Sequence, residues 1–310
     1  MYERQISLIG KESQKILSKK TIAILGLGAL GSNSANLLAR AGINLKLIDF
    51  DTIDETNLLS QSLYSYSDLK KSKAETAFKK LKEINPLIKI EFINALIDDS
   101  NLSLLNSDLV LDCTDNISTR LLINEYCYKN KIPLVHSAVL GYKGVIYNSL
   151  NSQPCLSCIY KSFSDEEKCE DFGVLNTIVS LISSISSNEA IKILLKENYE
   201  KSLLRINIKD NSIAKINVKK DRNCICCGIG KSLDFKKYRL CKNESSFSIT
   251  PLKNTKIDEE KIRKSFKIKE VTNNSIIASY KNNDLIIYKN GKIIGNNFNK
   301  SIISLIYEDG

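Results

Sequence analysis

Short apolar runs alternate with helical stretches over the first 150 residues. Thr21 to Leu25 is an apolar run that leads straight into Gly26-Leu27-Gly28-Ala29-Leu30-Gly31. Apolar positions then recur with a helical period from Ser32 to Ala41, Gly42 closes that stretch, and Leu45 to Ile48 is a second apolar run ending at Asp49. This order predicts strand, helix and strand. A lysine-rich helical pattern over Ser72 to Ile84 stops at Asn85-Pro86, and further strands are predicted over Lys89 to Ile93, Leu109 to Asp112 and Leu134 to Ser137. A helix near Thr119 to Lys129 separates the last two. Strands alternating with helices predict an α/β fold with a doubly wound, Rossmann-like, mostly parallel sheet.

The first 20 residues read as one amphipathic helix. Val145 to Leu150 reads as a strand, Val174 to Lys196 as a buried helix, and Leu203 to Ile208 with Ser212 to Val218 as a hairpin. Beyond about Ser232 the composition turns towards Lys, Asn, Ser and Ile. Strands are predicted there at Phe247 to Thr250, Ser275 to Tyr280 and Leu285 to Ile294, with helices near Asp258 to Phe266 and Asn299 to Tyr307. The expected domains are therefore 1–230 and a small α+β appendage over 231–310.

Composition narrows the class. A hydrophobic fraction of 43% and a charged fraction of 26% are those of a globular protein. Met1-Tyr2-Glu3-Arg4 does not read as a targeting segment, and the charge-free run is too short and too rich in serine for a membrane span. A cytoplasmic protein is expected, without a membrane partner. The net charge of +10 gathers in Lys11–Lys20 and Lys70–Lys82, read as solvated faces rather than a nucleic-acid surface. Nine cysteines in a cytoplasmic chain point to metal or thiol chemistry, not disulfides.

Three motifs carry chemistry. Gly26 makes a tight turn, Gly28 lets backbone approach a phosphate, and Gly31 lets helix and strand pack closely, while Asp49 can accept both ribose hydroxyls. The loop leaves NAD and ATP both open. Asn57-Leu58-Leu59-Ser60-Gln61, then Lys73, then Cys113-Thr114-Asp115-Asn116 favour ATP. A triphosphate needs the amide and cationic donors of Asn57, Gln61 and Lys73, and its Mg2+ needs a carboxylate, here Asp115. An NAD oxidoreductase would lack an acid–base residue, because the single histidine, His136, falls inside a strand. Finally, Cys155-x-x-Cys158 with Cys224-x-x-Cys227 is the spacing of a structural four-thiolate Zn2+ site. Cys226 lies inside the second pair and can displace either neighbour.

With these pieces in place the chain resembles the ThiF/MoeB/HesA family, prokaryotic relatives of ubiquitin-activating enzymes, over roughly residues 1–230. The resemblance rests on Tyr2-x-Arg4-Gln5, the Gly26–Gly31 loop, Asp49-Phe50-Asp51, Asn57-Leu58-x-x-Gln61, Lys73, Cys113-Thr114-Asp115-Asn116, both cysteine pairs, and Cys169 ahead of Gly173-Val174-Leu175. It implies a homodimer that uses ATP to adenylate the C-terminal Gly-Gly carboxylate of a ubiquitin-like or sulfur-carrier protein, releasing pyrophosphate. It also implies that Arg4 reaches into the partner subunit's site. Cys169, in a polar segment beside Lys168 and ahead of the positive end of the Val174 helix, is the candidate for a covalent step after adenylation, against the reading of an exposed cysteine with no role. Ser60 stands where the family has a phosphate-binding arginine. That departure leaves an alternative, a catalytically degenerate subunit that binds a ubiquitin-like partner.

Overall fold

The computed structural model describes residues 1–160, 173–229, 238–242, 247–251, 257–272, 275–281, 283–289, 291–295 and 302–307. These form two compact units, each with its own sheet. No helix among them is long and apolar enough to cross a membrane.

The larger unit opens with two short helices, α1 (Glu3–Ile9) and α2 (Lys11–Leu17), rather than the single predicted helix. Gly10 between them takes φ +83, which ends one helix and starts the next. Then come β1 (Thr21–Leu25), α3 (Ala29–Arg40), β2 (Asn44–Ile48), α4 (Lys73–Ile84), β3 (Ile90–Ile93), β4 (Leu109–Asp112), α5 (Ile117–Lys129), β5 (Leu134–Leu140) and β6 (Lys143–Ser149). A short α6 (Leu156–Ile159), the long α7 (Asn176–Leu194) and the hairpin β7 (Leu203–Asn207) and β8 (Ser212–Ile216) complete the unit.

The eight-stranded sheet runs in the order β3-β2-β1-β4-β5-β6-β7-β8. Its first five strands are parallel and the last three extend it antiparallel. The expected doubly wound α/β sheet is present. β1 and β4 read as unbroken apolar runs because the parallel strands are covered on both faces. On α4, Ala74, Ala77 and Leu81 turn inward at helical spacing, and Ser72 caps the first turn by accepting from the Glu75 N–H at 3.2 Å. α7 packs on α3, where the Ser183 hydroxyl donates to the Leu30 carbonyl at 3.1 Å.

The smaller unit is an antiparallel sheet, ordered β11-β12-β13-β14-β10-β9. It is built from β9 (Tyr238–Lys242), β10 (Phe247–Pro251), β11 (Lys267–Val271), β12 (Ser275–Tyr280), β13 (Asn283–Tyr288) and β14 (Ile293–Gly295), with helices α8 (Glu259–Ser265) and α9 (Ile303–Ile306). The single strand predicted over Leu285 to Ile294 is instead a hairpin. Gly291 turns it with φ +84, and its N–H donates to the Tyr288 carbonyl at 2.8 Å. The core of this unit includes Ile249, Ile262, Ile276, Leu285, Ile287 and Tyr307.

Candidate functional site

The strand order reverses between β1 and β4, so their C-terminal ends open a crevice, the usual place for a ligand in such sheets. The loop after β1 carries the three glycines. Gly26 sits at φ +80, and a Cβ there would come within 2.8 Å of the Cys113 carbonyl oxygen in the loop after β4. A Cβ on Gly31 would meet the Gly26 carbonyl oxygen at 1.8 Å. These two positions admit only glycine. Gly28 differs: a Cβ there would have only the Gln61 amide nitrogen, at 3.9 Å, for company. The crevice is open above it. Gly28 is the N-cap of α3 and offers no side-chain cap, so the first N–H groups of the helix are available to an anion.

Asp49, at the tip of β2, is 8% exposed. One carboxylate oxygen accepts from the Leu27 N–H at 2.6 Å and the other from the Asp51 N–H at 2.7 Å. It therefore holds the glycine loop in place and keeps lone pairs for a further donor. Burial lifts its pKa above the ordinary carboxylate value, Asp51 adds to this, and Lys73 works against both.

Lys73 is the first residue of α4 and 6% exposed. A cation at the positive end of a helix is unfavourable on its own terms. Burial opposes its charge as well, yet Asp49, Asp51 and Asp115 outweigh that and raise its pKa. Its ammonium lies 3.5 Å from Asp51. A charge kept at such a costly position is the mark of a site that needs it. The Tyr64 hydroxyl, itself buried, lies 3.0 Å from the Leu27 carbonyl and 3.2 Å from the Lys73 carbonyl, and so ties the glycine loop to the start of α4.

The Asn57 carbonyl accepts from the Ser60 and Gln61 N–H groups and turns the Gln61 side chain inward. Gln61 is buried, and its Oε1 has no hydrogen-bond partner. An orphaned amide oxygen beside an open glycine loop fits a ligand with donors and acceptors of its own. Lys71 turns to Asp68 at 3.4 Å. Asp115 is exposed at the crevice, and Asn116, not Asp115, caps α5 by accepting from the Thr119 N–H at 2.7 Å.

Of the residues predicted from sequence, Gly26 and Gly28 lie on the loop after β1, Asp49, Asn57 and Gln61 at and beyond the end of β2, Asp115 on the loop after β4, Gly31 in the first turn of α3 and Lys73 at the start of α4. Arg4 is exposed on α1, and its expected place is in the site of a second copy. Cys169 lies outside the described residues. Sequence reasoning quoted Asp51 without giving it a role and passed over Tyr64. The Asp49-x-Asp51 spacing was the available signal for the first; a tyrosine in the serine-rich run Ser62-Leu63-Tyr64-Ser65-Tyr66-Ser67 offered none for the second.

The second cluster is the four thiols Cys155, Cys158, Cys224 and Cys227, all buried and with sulfurs within 4.8 Å of one another. Cys155 and Cys224 are 3.5 Å apart and Cys158 and Cys227 3.4 Å. A tetrahedral ion with sulfur ligands at about 2.3 Å needs edges of roughly 3.8 Å, so a small adjustment suffices, in which the two short pairs open slightly. Asn124 on α5 braces the site. It accepts from the Leu156 N–H at 2.8 Å and donates to Ser157 at 3.1 Å and Cys226 at 3.5 Å. The hydrogen bond from Cys226 draws the Cys155 thiol down to about 4, while burial raises Cys158 and the bond to Cys155 raises Cys226. Thiols this close ionise together only around a cation. Cys113 and Cys127 are unreactive by comparison, burial pushing Cys113 up to about 12 and Cys127 higher.

The model of the ThiF family matches residues 2–227. The molybdopterin-synthase adenylyltransferase of Escherichia coli (strain K12) is 39% identical over 201 residues, 62% of this chain and 81% of that protein. The SAMP-activating enzyme E1 of Haloferax volcanii is 30% identical over 239 residues, 74% of this chain and 88% of that protein. Among solved structures, E. coli MccB with ATP superposes with a TM-score of 0.64 at 21% identity over 73% of this chain and 74% of that one, a likeness of fold.

Lys73→Met tests the charge balance of the crevice. Removing the cation leaves buried Asp49 without a counter-charge, and the expected loss is about 3 kcal/mol at neutral pH. The raised Asp49 pKa sets the sign of the pH effect. A carboxyl whose folded pKa lies above its unfolded value destabilises once it must ionise, so the deficit shrinks as the pH falls and Asp49 takes up its proton. Urea unfolding of both proteins between neutral and mildly acid pH checks this; a deficit that grows on acidification would contradict it.

Proposed function

The chain belongs to the ThiF family, and we propose that it uses ATP to adenylate the C-terminal glycine carboxylate of a ubiquitin-like or sulfur-carrier protein. The observation that carries this reading is the buried Lys73, held charged by Asp49, Asp51 and Asp115 at the mouth of a glycine-loop crevice. The two relatives named above are an adenylyltransferase and an activating enzyme, which supports the same chemistry.

In this reading ATP lies across the glycine loop. The first N–H groups of α3 face its phosphates, Asp49 accepts from the ribose hydroxyls, and Asn57, Gln61 and Lys73 contact the phosphate chain. Asp115 would hold Mg2+, whose charge offsets that building on the pyrophosphate. The carrier's terminal carboxylate, with a pKa of about 3.5, is already ionised at neutral pH and needs no general base. Its oxygen attacks the α-phosphorus, the bond to the bridging oxygen breaks, and pyrophosphate leaves with that electron pair. What the chain supplies is placement and fixed positive charge. Two copies form a homodimer in which Arg4 of each completes the site of the other, and the partner presents a C-terminal Gly-Gly tail.

Asp115→Ala is expected to abolish pyrophosphate exchange with the carrier while leaving the protein folded. Full exchange in that variant would remove Asp115 from the metal role. Ser60 favours a second reading, a degenerate subunit that binds the carrier without activating it. Ser60→Arg addresses it: a gain in exchange rate marks the missing arginine as the limiting group, and no exchange in either form supports the degenerate subunit.

We also propose that the four cysteines hold one structural Zn2+, bound by Cys155, Cys158, Cys224 and Cys227. Metal analysis should find about one zinc per chain, and chelation under reducing conditions should lower the thermal midpoint by roughly 10 °C, about 3 kcal/mol for a unit of this size. Metal-free protein with four freely reactive thiols would refute the assignment.

Cys169 is the proposed acceptor for a covalent step. Its thiolate attacks the acyl adenylate carbonyl, AMP leaves, and a thioester joins enzyme and carrier. A thiol-sensitive adduct on a non-reducing gel is expected with wild-type enzyme, carrier and ATP, and none with Cys169→Ala. An adduct that persists in the variant moves the role to another cysteine.

A further inference from the structure

The chain's single histidine has no part in the chemistry above. His136 lies on β5, is 1% exposed, and faces two partners. Its Nδ1 is 2.8 Å from Oδ2 of Asp112, the fully buried last residue of β4. Its Nε2 is 3.1 Å from the Tyr160 hydroxyl, with the two rings edge to face at 5.8 Å. Burial lowers the His136 pKa despite the pull of Asp112, and the hydrogen bonds from His136 and Thr114, with the Arg120 guanidinium nearby, hold Asp112 below the ordinary carboxylate value against its own burial. The imidazole is therefore neutral, with one N–H to place. A carboxylate at Nδ1 takes that proton, which leaves Nε2 to accept from the Tyr160 O–H.

The other oxygen of Asp112 accepts from the Thr114 N–H at 3.0 Å and the Thr114 hydroxyl at 2.6 Å. Arg120 on α5 donates twice to the Thr114 carbonyl, at 3.2 and 2.7 Å. Every polar group of Thr114 is thus held, and on the far side Asn116 is fixed as the α5 cap. Asp115 stands between these two anchored residues. A buried polar pair is seldom more stabilising than apolar side chains of the same volume, so a histidine and an aspartate buried here point to a need for orientation rather than stability.

We propose that His136 is a positioning residue: the chain Tyr160–His136–Asp112–Thr114 sets the place of Asp115 in the crevice and joins it to the turn that follows Cys158. The inference rests on the reading of Asp115 as the Mg2+-binding carboxylate. Groups that orient a metal ligand without touching the metal commonly alter its affinity 10- to 100-fold.

A sole histidine gives a one-residue spectrum. In protein labelled with 15N-histidine, the imidazole signals should be those of the neutral Nδ1–H tautomer, and Mg2+ with ATP should shift them, an effect lost in Asp115→Ala. Signals that stay fixed while thermal shift shows Mg2+ and ATP bound would overturn the proposal, as would the opposite tautomer. In pyrophosphate exchange, His136→Phe should raise the Mg2+ concentration for half-maximal rate about tenfold or more, while His136→Asn, whose amide N–H replaces Nδ1–H, recovers to within about threefold of wild type. Tyr160→Phe removes only the outer hydroxyl and should give a smaller shift in the same direction, which keeps the question answerable if His136→Phe does not fold. If Asp115→Ala retains full exchange, the reading of Asp115 fails and this inference with it. If Asp115→Ala is dead and folded His136→Phe keeps the wild-type Mg2+ dependence, the inference alone fails.

Discussion

The approach of Gly26 to the Cys113 carbonyl is the contact on which the site depends. At the reversal between β1 and β4 two backbone loops must pass within van der Waals distance; a side chain at Gly26 would force them apart, and one at Gly31 would run into the Gly26 carbonyl of its own loop. Because they touch, the first turn of α3, the tip of β2 and the Asp115 loop share one crevice. Asp49 reinforces the arrangement by accepting from both the glycine loop and the start of its own loop.

Charge is the second constraint. Three carboxylates surround one buried ammonium, so the crevice carries an excess of negative charge around Lys73. Such a balance suits a polyanion that arrives with a divalent cation and suits a bare anion poorly. The same logic explains why Lys71 and Lys80 are spent on Asp68: that pairing closes the loop after Gln61 instead of adding charge to the crevice.

Much of this was legible in the sequence, for particular reasons. The glycine loop between two apolar runs, the acid at the tip of the second, and the two CxxC pairs are local patterns whose chemistry follows from spacing alone. What was hidden is long-range or set by a single backbone angle. Gly10 broke a helix that periodicity alone runs through. β11 escaped notice because Lys267, Lys269 and Glu270 make it read as loop, although Ile268 faces the core of the smaller unit. Asp112, His136 and Tyr160 lie 24 residues apart at each step, and only the pairing of β4 with β5 joins the first two. No spacing rule reveals such a chain.

The central claim is that a carrier's terminal carboxylate becomes joined to AMP. The most direct measurement is mass spectrometry of a Gly-Gly-ended carrier after incubation with the enzyme and ATP, with inorganic pyrophosphatase present to draw the reaction forward. The account predicts a carrier heavier by AMP less water, with two phosphates and no ADP formed per adduct once the pyrophosphatase has acted, and no adduct on a carrier lacking its last glycine. Release of ADP and phosphate with an unmodified carrier would contradict it.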